Sequence, residues 1–377
     1  TMPGYRRPSF MPDIKSVTAS TALSERKQIL LDLRSPAEFN KGAFPNAINL
    51  PLLTDQERKD VGICYKKSGQ EAAILLGEKL VSGKIKTERM EKWCCTINAH
   101  PNTLLYCFRG GLRSKIVQSW LAAEGIEVPI VEGGYKSLRR VSLNTVEQAV
   151  NLKKFLIIGG KTGSAKTHLL NKLYHSIDLE GAANHRGSAF GRRVLDQPNQ
   201  INFENRIASK LLEIGFETAN KIFLEDESKA IGSLSVPSLL IHEMKMSPIA
   251  LIEETIESRI TTILDDYIIS NHREFEVFSP EQGSRLFSEF LLTSLSRIRR
   301  RLGEENYSAI KALMDQALAT EKTIKGREIH WIWIKKLLTN YYDPMYEYQI
   351  TKKSGRIVFR GCKDEFLNWA IHIDKAL

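Results

Sequence analysis

Cys107 stands in the run Tyr106-Cys107-Phe108-Arg109-Gly110-Gly111-Leu112-Arg113-Ser114, one thiol followed within six residues by two arginines and two glycines. The thiolate is the nucleophilic form of cysteine, and fixed positive charge or a helix N-terminus lowers a thiol's pKa. Arg109 and Arg113 bring permanent charge and forked donors suited to phosphate-like oxyanions, while Gly110 and Gly111 permit positive φ and close backbone approach. The chemistry implied is sulfur handling by a nucleophilic Cys107 beside an anion held by Arg109, Gly110, Gly111 and Arg113. The plainer alternative is a buried structural cysteine, and two arginines in one tight loop count against it.

A second constellation begins at Gly160. The run Gly160-Lys161-Thr162-Gly163-Ser164-Ala165-Lys166-Thr167 follows the apolar Phe155-Leu156-Ile157-Ile158 and matches the G-x-x-x-x-G-K-[ST] phosphate loop, except that Ala165 replaces the second glycine. Thr162, Gly163 and Ser164 leave N–H groups free for phosphate oxygens, Lys166 is a point charge, and Thr167 is a magnesium ligand in such loops. Alanine at 165 is expected to need a negative φ. A partner strand ending in a carboxylate is supplied by Ile222-Phe223-Leu224-Glu225-Asp226, which makes Glu225 and Asp226 candidates for magnesium or water positioning, with Thr167 and Asp226 as the metal pair. Helix N-terminal acids account equally well for Glu227 and Ser228. Between strand and loop, Asn184-His185-Arg186-Gly187-Ser188-Ala189-Phe190-Gly191-Arg192-Arg193 carries three arginines that suit a diphosphate or an RNA backbone.

Both constellations need a strand ending at the loop and a helix beginning after it. The first has a strand at 103–106 and helical spacing at 115–123; the second has strands near 155–158, 222–224 and 248–252. Residues 1–24 read as an extended lead-in, and 29–33 as a strand bearing Asp32 and Arg34, either a structural ion pair or a catalytic one. Residues 54–96 are helical in character, but Gly62-Ile63-Cys64-Tyr65-Lys66-Lys67-Ser68-Gly69 reads as a loop within them, either a second lip with Cys64 as resolving thiol or an incidental cysteine. A strand at 129–131 closes the first domain, and 138–152 is a connecting helix. Beyond 257 the pattern is helical; Arg297, Arg299, Arg300 and Arg301, with Trp331, Trp333, Tyr341, Tyr342, Tyr346 and Tyr348, form either a face for unpaired RNA bases or a helical core with a solvated surface.

Composition sets wider limits. At 377 residues the chain is too long for a single core, and a net charge of +10 with a pI near 9.2 favours a polyanionic partner, nucleic acid ahead of a membrane. No apolar run is long enough to span a bilayer and no signal-peptide core opens the sequence, so cytoplasmic location is the default expectation. Five cysteines without a C-x-x-C pair argue against a disulfide framework or a zinc site, and no transition metal is expected.

Cys107-Phe108-Arg109-Gly110-Gly111-Leu112-Arg113-Ser114 resembles the active-site loop of a rhodanese domain, whose cysteine carries transferable sulfur or selenium. Asp32-x-Arg34 followed by Gly42-x-x-Pro45-x-Ala47-x-Asn49 resembles that fold's other signature. Together with Asn184 to Gly191, Glu225-Asp226-Glu227-Ser228 and Tyr342-Asp343-Pro344-Met345-Tyr346, the chain resembles the bacterial tRNA 2-selenouridine synthases over nearly its whole length. That resemblance implies conversion of wobble 2-thiouridine to 2-selenouridine in tRNA, with selenophosphate as selenium donor and an S-geranyl intermediate made from geranyl diphosphate. It implies Cys107 as the catalytic residue and Gly160 to Thr167 as the phosphate loop, with Asp32, Arg34, Arg186, Ser188, Glu225 and Asp226 as further site candidates. The expected fold is α/β: a rhodanese-like parallel-sheet domain (1–137), a connecting helix (138–153), a P-loop α/β domain (154–256) and a mainly helical C-terminal region packed on it (257–377). No tightly bound cofactor is expected beyond Mg2+; the partners are the tRNA anticodon region and a selenophosphate supplier, with no membrane. A sulfurtransferase fused to a kinase-type NTPase and a non-catalytic tRNA-binding module are the alternatives.

Overall fold

A computed structural model describes residues 15–25, 28–152, 154–320 and 324–374. They form two compact units: one holds the chain up to Val146 together with Asn199–Glu213, the other Glu147–Pro198 with Ile214–Leu377. The segment 199–213 therefore groups with the first unit. Among the described residues no helix is long and apolar enough to cross a membrane.

The first unit is built on a parallel sheet of β1 (Ser16–Val17), β2 (Ile29–Asp32), β3 (Ala47–Asn49), β4 (Thr103–Tyr106) and β5 (Ile130–Val131), in the order β1-β5-β4-β2-β3. Alternation along a strand sends neighbouring side chains to opposite faces. Leu30 and Leu104 thus pack with Ala19, Phe44 and Leu138, while Leu31 and Leu105 pack with Trp93, Val117 and Leu121. The expected lead-in falls outside the described residues up to residue 14; from there it is not extended throughout, since β1 joins the sheet edge and Ala19–Ser24 is a helix capped by the Thr18 hydroxyl. The expected loop at 62–69 is likewise helical, inside Asp55–Leu80, where only Gly69 (φ 83°, ψ −173°) interrupts the turns.

The second unit has its own parallel sheet, with the strands β6 (Phe155–Gly160), β7 (Ser176–Ile177), β8 (Ile222–Glu225), β11 (Ile249–Ile252) and β12 (Ile357–Gly361) in the order β12-β11-β6-β8-β7. A separate hairpin pairs β9 (Ala230–Ile231) with β10 (Leu234–Ser235). Central β6 is buried at every position, as a parallel strand covered on both faces should be. The C-terminal region is mainly helical, but it also supplies edge strand β12, whose alternating half-exposed pattern hides it in a charged stretch of sequence. Helices Ile256–Ile263, Gly283–Leu302, Glu304–Ala319 and Ile324–Leu337 share a core through Ile260, Phe287, Leu291, Met314 and Trp333.

Candidate active sites

In the first unit β4 delivers the chain directly to Cys107, and helix Leu112–Ala123 starts just beyond the loop. The Cys107 side chain is only 3% exposed and belongs to the apolar cluster of Leu33, Leu52, Leu53 and Leu105, while Phe108 and Arg109 face solvent. The loop is fastened from behind: Tyr135 donates its N–H to the Cys107 carbonyl (2.8 Å) and Lys136 donates to that of Phe108 (3.0 Å). This close approach explains Gly110, where φ is +61° and a Cβ would lie 2.8 Å from the Val131 carbonyl oxygen. Gly111, expected to serve the same purpose, does not: its φ is −97° and open space surrounds it.

The two arginines of the loop have different surroundings. Arg109 makes no ion pair among the described residues, whereas Arg113 holds Glu38 through both terminal nitrogens (2.7 and 3.2 Å) and Arg58 reaches the same carboxylate at 3.0 Å. Burial works against the Glu38 charge, yet the Arg113 hydrogen bond and charge hold its pKa below the ordinary value. An anion in this loop therefore meets Arg109 unengaged and Arg113 already neutralised. Asp32 and Arg34 are a fully buried ion pair (2.7 Å) at the end of β2. Arg34 also donates to the Gly42 carbonyl at 2.7 Å and lies 3.7 Å from the Tyr135 ring centre, and the Tyr106 hydroxyl donates to Asp32 at 2.5 Å. Held by these bonds, the pair braces the Gly42 turn.

In the second unit β6 runs into the phosphate loop, which faces a cavity of about 470 Å³. Gly163 has φ +85°, and Ala165 adopts a left-handed conformation (φ 59°, ψ 31°), contrary to the negative φ expected for it. The loop thus keeps the geometry that a second glycine would serve, at a cost of about 1–2 kcal/mol for carrying a Cβ there. Lys166 donates to the Gly160 carbonyl (3.0 Å) and Thr167 to Glu180 (3.2 Å). Both oxygens of Asp226 lie 2.7 Å from Lys353, so the metal partner expected of Thr167 is already engaged. Glu180, unnoticed in the sequence, sits against Thr167 in its place because the short helix Leu179–Ala182 follows β7.

Glu180, Glu225, Glu227 and Asp178 all border the cavity. Burial raises each pKa, most strongly at Glu225; Glu227 is pushed up to about 8 by burial and then by the charge of Glu180. Glu225 accepts the Glu180 N–H through Oε1 (2.7 Å), and its Oε2 has no partner among the described residues. Ser164 Oγ, Arg186 Nη1, Tyr342 Oη and Tyr346 Oη are also buried and, among the described residues, without a hydrogen-bond partner, and all five residues line this cavity. Buried polar atoms normally find partners, so the set marks where a ligand's polar groups belong.

Arg186 and Arg193 reach the cavity and share Glu274 (3.4 and 3.2 Å to one guanidinium nitrogen each), but Arg192 turns away to Asp196. Ser188 lines the cavity, its Oγ accepting the N–H of Phe190. Tyr267 and Tyr342 arrive on two π-helical stretches, Leu264–Ile269 and Leu338–Tyr342, a register that a period of 3.6 cannot reveal. Arg259, 3% exposed, was also illegible: its Nε donates to the Thr162 carbonyl (2.9 Å) while its terminal nitrogens grip Asp343 (2.9 and 2.6 Å). Of the aromatics expected on an RNA face, Trp333 and Tyr341 are core residues and Tyr342 and Tyr346 belong to the cavity. A small apolar pocket lined by Phe190, Ile263, Leu291 and Trp333 adjoins the cavity and shares Thr162, Ser188, Tyr267 and Tyr342 with it. Among the described residues no three metal-ligating side chains converge on one point.

Residues 17–140 match the family described as a rhodanese-like domain, and residues 153–376 match the tRNA 2-selenouridine synthase AAA domain. The chain is 49% identical to the tRNA 2-selenouridine synthase of Pseudomonas fluorescens strain Pf-5, over 88% of this chain and 91% of that protein. It is 46% identical to the protein of that name from Marinobacter nauticus (90% and 93% covered) and 49% identical to that from Bordetella petrii (90% and 91%).

Proposed function

The chain belongs to the tRNA 2-selenouridine synthase family, a family of tRNA-modifying transferases, and from that premise we propose that it replaces the sulfur of 2-thiouridine in tRNA with selenium in two steps. In the first, the thio sulfur attacks C1 of geranyl diphosphate; a C–S bond forms as the C–O bond to diphosphate breaks, and the diphosphate leaves with the electron pair. In the second, the selenium of selenophosphate attacks C2 of the base and the C–S bond breaks, so that geranylthiolate leaves with the electron pair and takes up a proton; water then cleaves the Se–P bond, releasing phosphate and leaving selenium on C2.

The observation that carries the first step is the anion cradle itself, a phosphate loop facing a cavity of about 470 Å³ that is lined by buried polar atoms with no partner among the described residues. Lys166, Arg186 and the Tyr342 and Tyr346 hydroxyls would hold the diphosphate; the adjoining apolar pocket, at about 30 Å³, has room for a single water, so the prenyl tail would lie in the open part of the cavity. Fixed donors where leaving-group charge develops are worth more in such a desolvated site than in water. Thr167 and Glu180, with Glu225 Oε2, which has no partner among the described residues, fit a magnesium ion better than Asp226, because Mg2+ is commonly held by one or two protein oxygens together with substrate phosphates. Such an ion would neutralise charge on the departing diphosphate. The Cys107 loop would serve the second step, with selenophosphate held by Arg109 and by N–H groups of the loop, so that its selenium is delivered directly to C2 of the base beside the Cys107 thiol.

The two steps can be assayed separately by mass analysis of tRNA nucleosides. Lys166→Ala should cut geranyl transfer by roughly 10²–10³ fold, the scale of losing one preorganised donor. Cys107→Ala should leave geranylation intact and abolish selenation; unimpaired selenation would remove the thiol from the mechanism. ATP turnover indifferent to tRNA, with no geranyl transfer, would instead favour a sulfurtransferase fused to an NTPase.

A further inference from the structure

Helix Asp55–Leu80 in the first unit runs for 26 residues, yet its buried set is Ala73 alone. Val61 and Leu80 pack against the unit's core, and most of the remaining surface of the helix is exposed. Ile63, Tyr65 and Leu75 are 42%, 57% and 66% exposed along it. Around Ile63 and Tyr65 the helix forms one wall of a groove of about 560 Å³, whose charged lining is Arg58, Lys59, Lys66 and Arg113.

Among the described residues no carboxylate lines the groove: the helix's own acids, Asp55, Glu57, Asp60, Glu71 and Glu78, lie outside it. Glu38 takes Arg58 and Arg113 together, whereas Lys59 and Lys66 make no ion pair among the described residues. The groove thus has a cationic wall with two lysines that make no ion pair among the described residues, an exposed aromatic ring in its lining, and a direct join at Arg113 to the helix that follows the Cys107 loop. A protein partner matched to it would be acidic and apolar. A nucleic-acid strand supplies the same charge and also a base to stack on Tyr65, a combination typical of single-stranded RNA sites.

We propose that this groove is the docking surface for the anticodon arm of the tRNA on the Cys107 unit, with phosphates on Lys59 and Lys66 and an unpaired base on Tyr65. The inference rests on the function proposed above, because it takes the polyanion to be the substrate tRNA. It gives the helix a task for which its exposed apolar residues and sparse packing are suited.

The test uses the full chain and a tRNA carrying wobble 2-thiouridine, with binding measured from about 50 to 300 mM salt. The double variant Lys59→Glu, Lys66→Glu should bind about tenfold or more weakly, with the slope of log Kd against log salt reduced by about two, one per phosphate contact. Arginine at both positions should keep the slope, and Tyr65→Ala should weaken binding without changing it. Unchanged affinity and slope in the double variant would overturn the proposal. So would a changed oligomeric state by light scattering, which would assign the face to a second copy of the chain. Failure of the wild-type chain to bind tRNA at all would remove the function reading and the groove with it, an outcome distinct from wild-type binding that the variants leave untouched.

Discussion

Ala165 shows best what a single residue does to this molecule. Its left-handed backbone is the conformation in which a Cβ meets the following carbonyl, and it persists because the loop must turn Ser164 and Lys166 toward the cavity. Ala165→Gly should relieve about 1–2 kcal/mol of strain while giving back about 0.4–1 kcal/mol through the greater freedom of the unfolded chain. The net expectation is a stabilisation of between zero and about 1.6 kcal/mol, visible as a higher urea midpoint. Valine at the same position adds β-branching to a positive φ and should lower it. A glycine variant less stable than wild type would mean that the Ala165 methyl contributes packing that outweighs the strain. The sequence marks this position only as a departure from a motif; the backbone shows that the departure leaves the loop's geometry intact.

At the scale of elements, Arg259 and Asp343 tie three of them together: helix Ile256–Ile263, the phosphate loop at Thr162, and helix Asp343–Thr351, which carries Met345 and Tyr346 to the cavity. The pair is nearly buried, with side chains 3% and 14% exposed. Removing one partner of such a pair leaves a desolvated charge, so Asp343→Leu or Arg259→Met alone should cost about 3–5 kcal/mol, whereas the double variant Arg259→Met, Asp343→Leu should cost far less than their sum. A double-mutant cycle on urea midpoints checks this; additive costs would show that the two residues act independently. Local motifs made the strands and loops of both sites legible, because a run such as Phe155-Leu156-Ile157-Ile158 and the glycines after it are neighbours in sequence. Glu180, Arg259 and Tyr267 were not, because they reach the site through a short helix, a distant ion pair and a π-helical register. Strand β12 was missed for a related reason: Ile357, Phe359 and Gly361 are only half-buried at a sheet edge, so no apolar run announces them.

For the whole chain, the two units place carboxylates in opposite electrostatic settings, and stability should follow pH accordingly. In the first unit Glu38 and Glu57 are held below their ordinary pKa against the opposing effect of burial, Glu38 by Arg113 and Glu57 by Arg89 and the Thr54 N–H. Such groups stabilise the fold above the unfolded pKa and lose that contribution as pH falls through the folded one. In the second unit the sign reverses. Glu227 keeps its proton to about 8, against an ordinary value of 4.5, so between those limits the folded state binds a proton that the unfolded chain has released. Stability is then full below about 4.5 and declines as pH rises toward 8, the condition under which the unfolded state binds fewer protons. Glu180 and Glu225, both raised by burial, act in the same direction. The expected outcome is a urea midpoint that falls between pH 5 and 8 in the wild-type chain and falls less in Glu227→Gln, where a neutral amide keeps the hydrogen-bonding shape without a proton to lose. Peptide-resolved hydrogen exchange should localise the weakening to β6, β8 and the phosphate loop, leaving β2 and β4 protected. An identical pH slope in the variant would show that Glu227 ionises without cost, and would remove the buried carboxylates as the source of alkaline sensitivity.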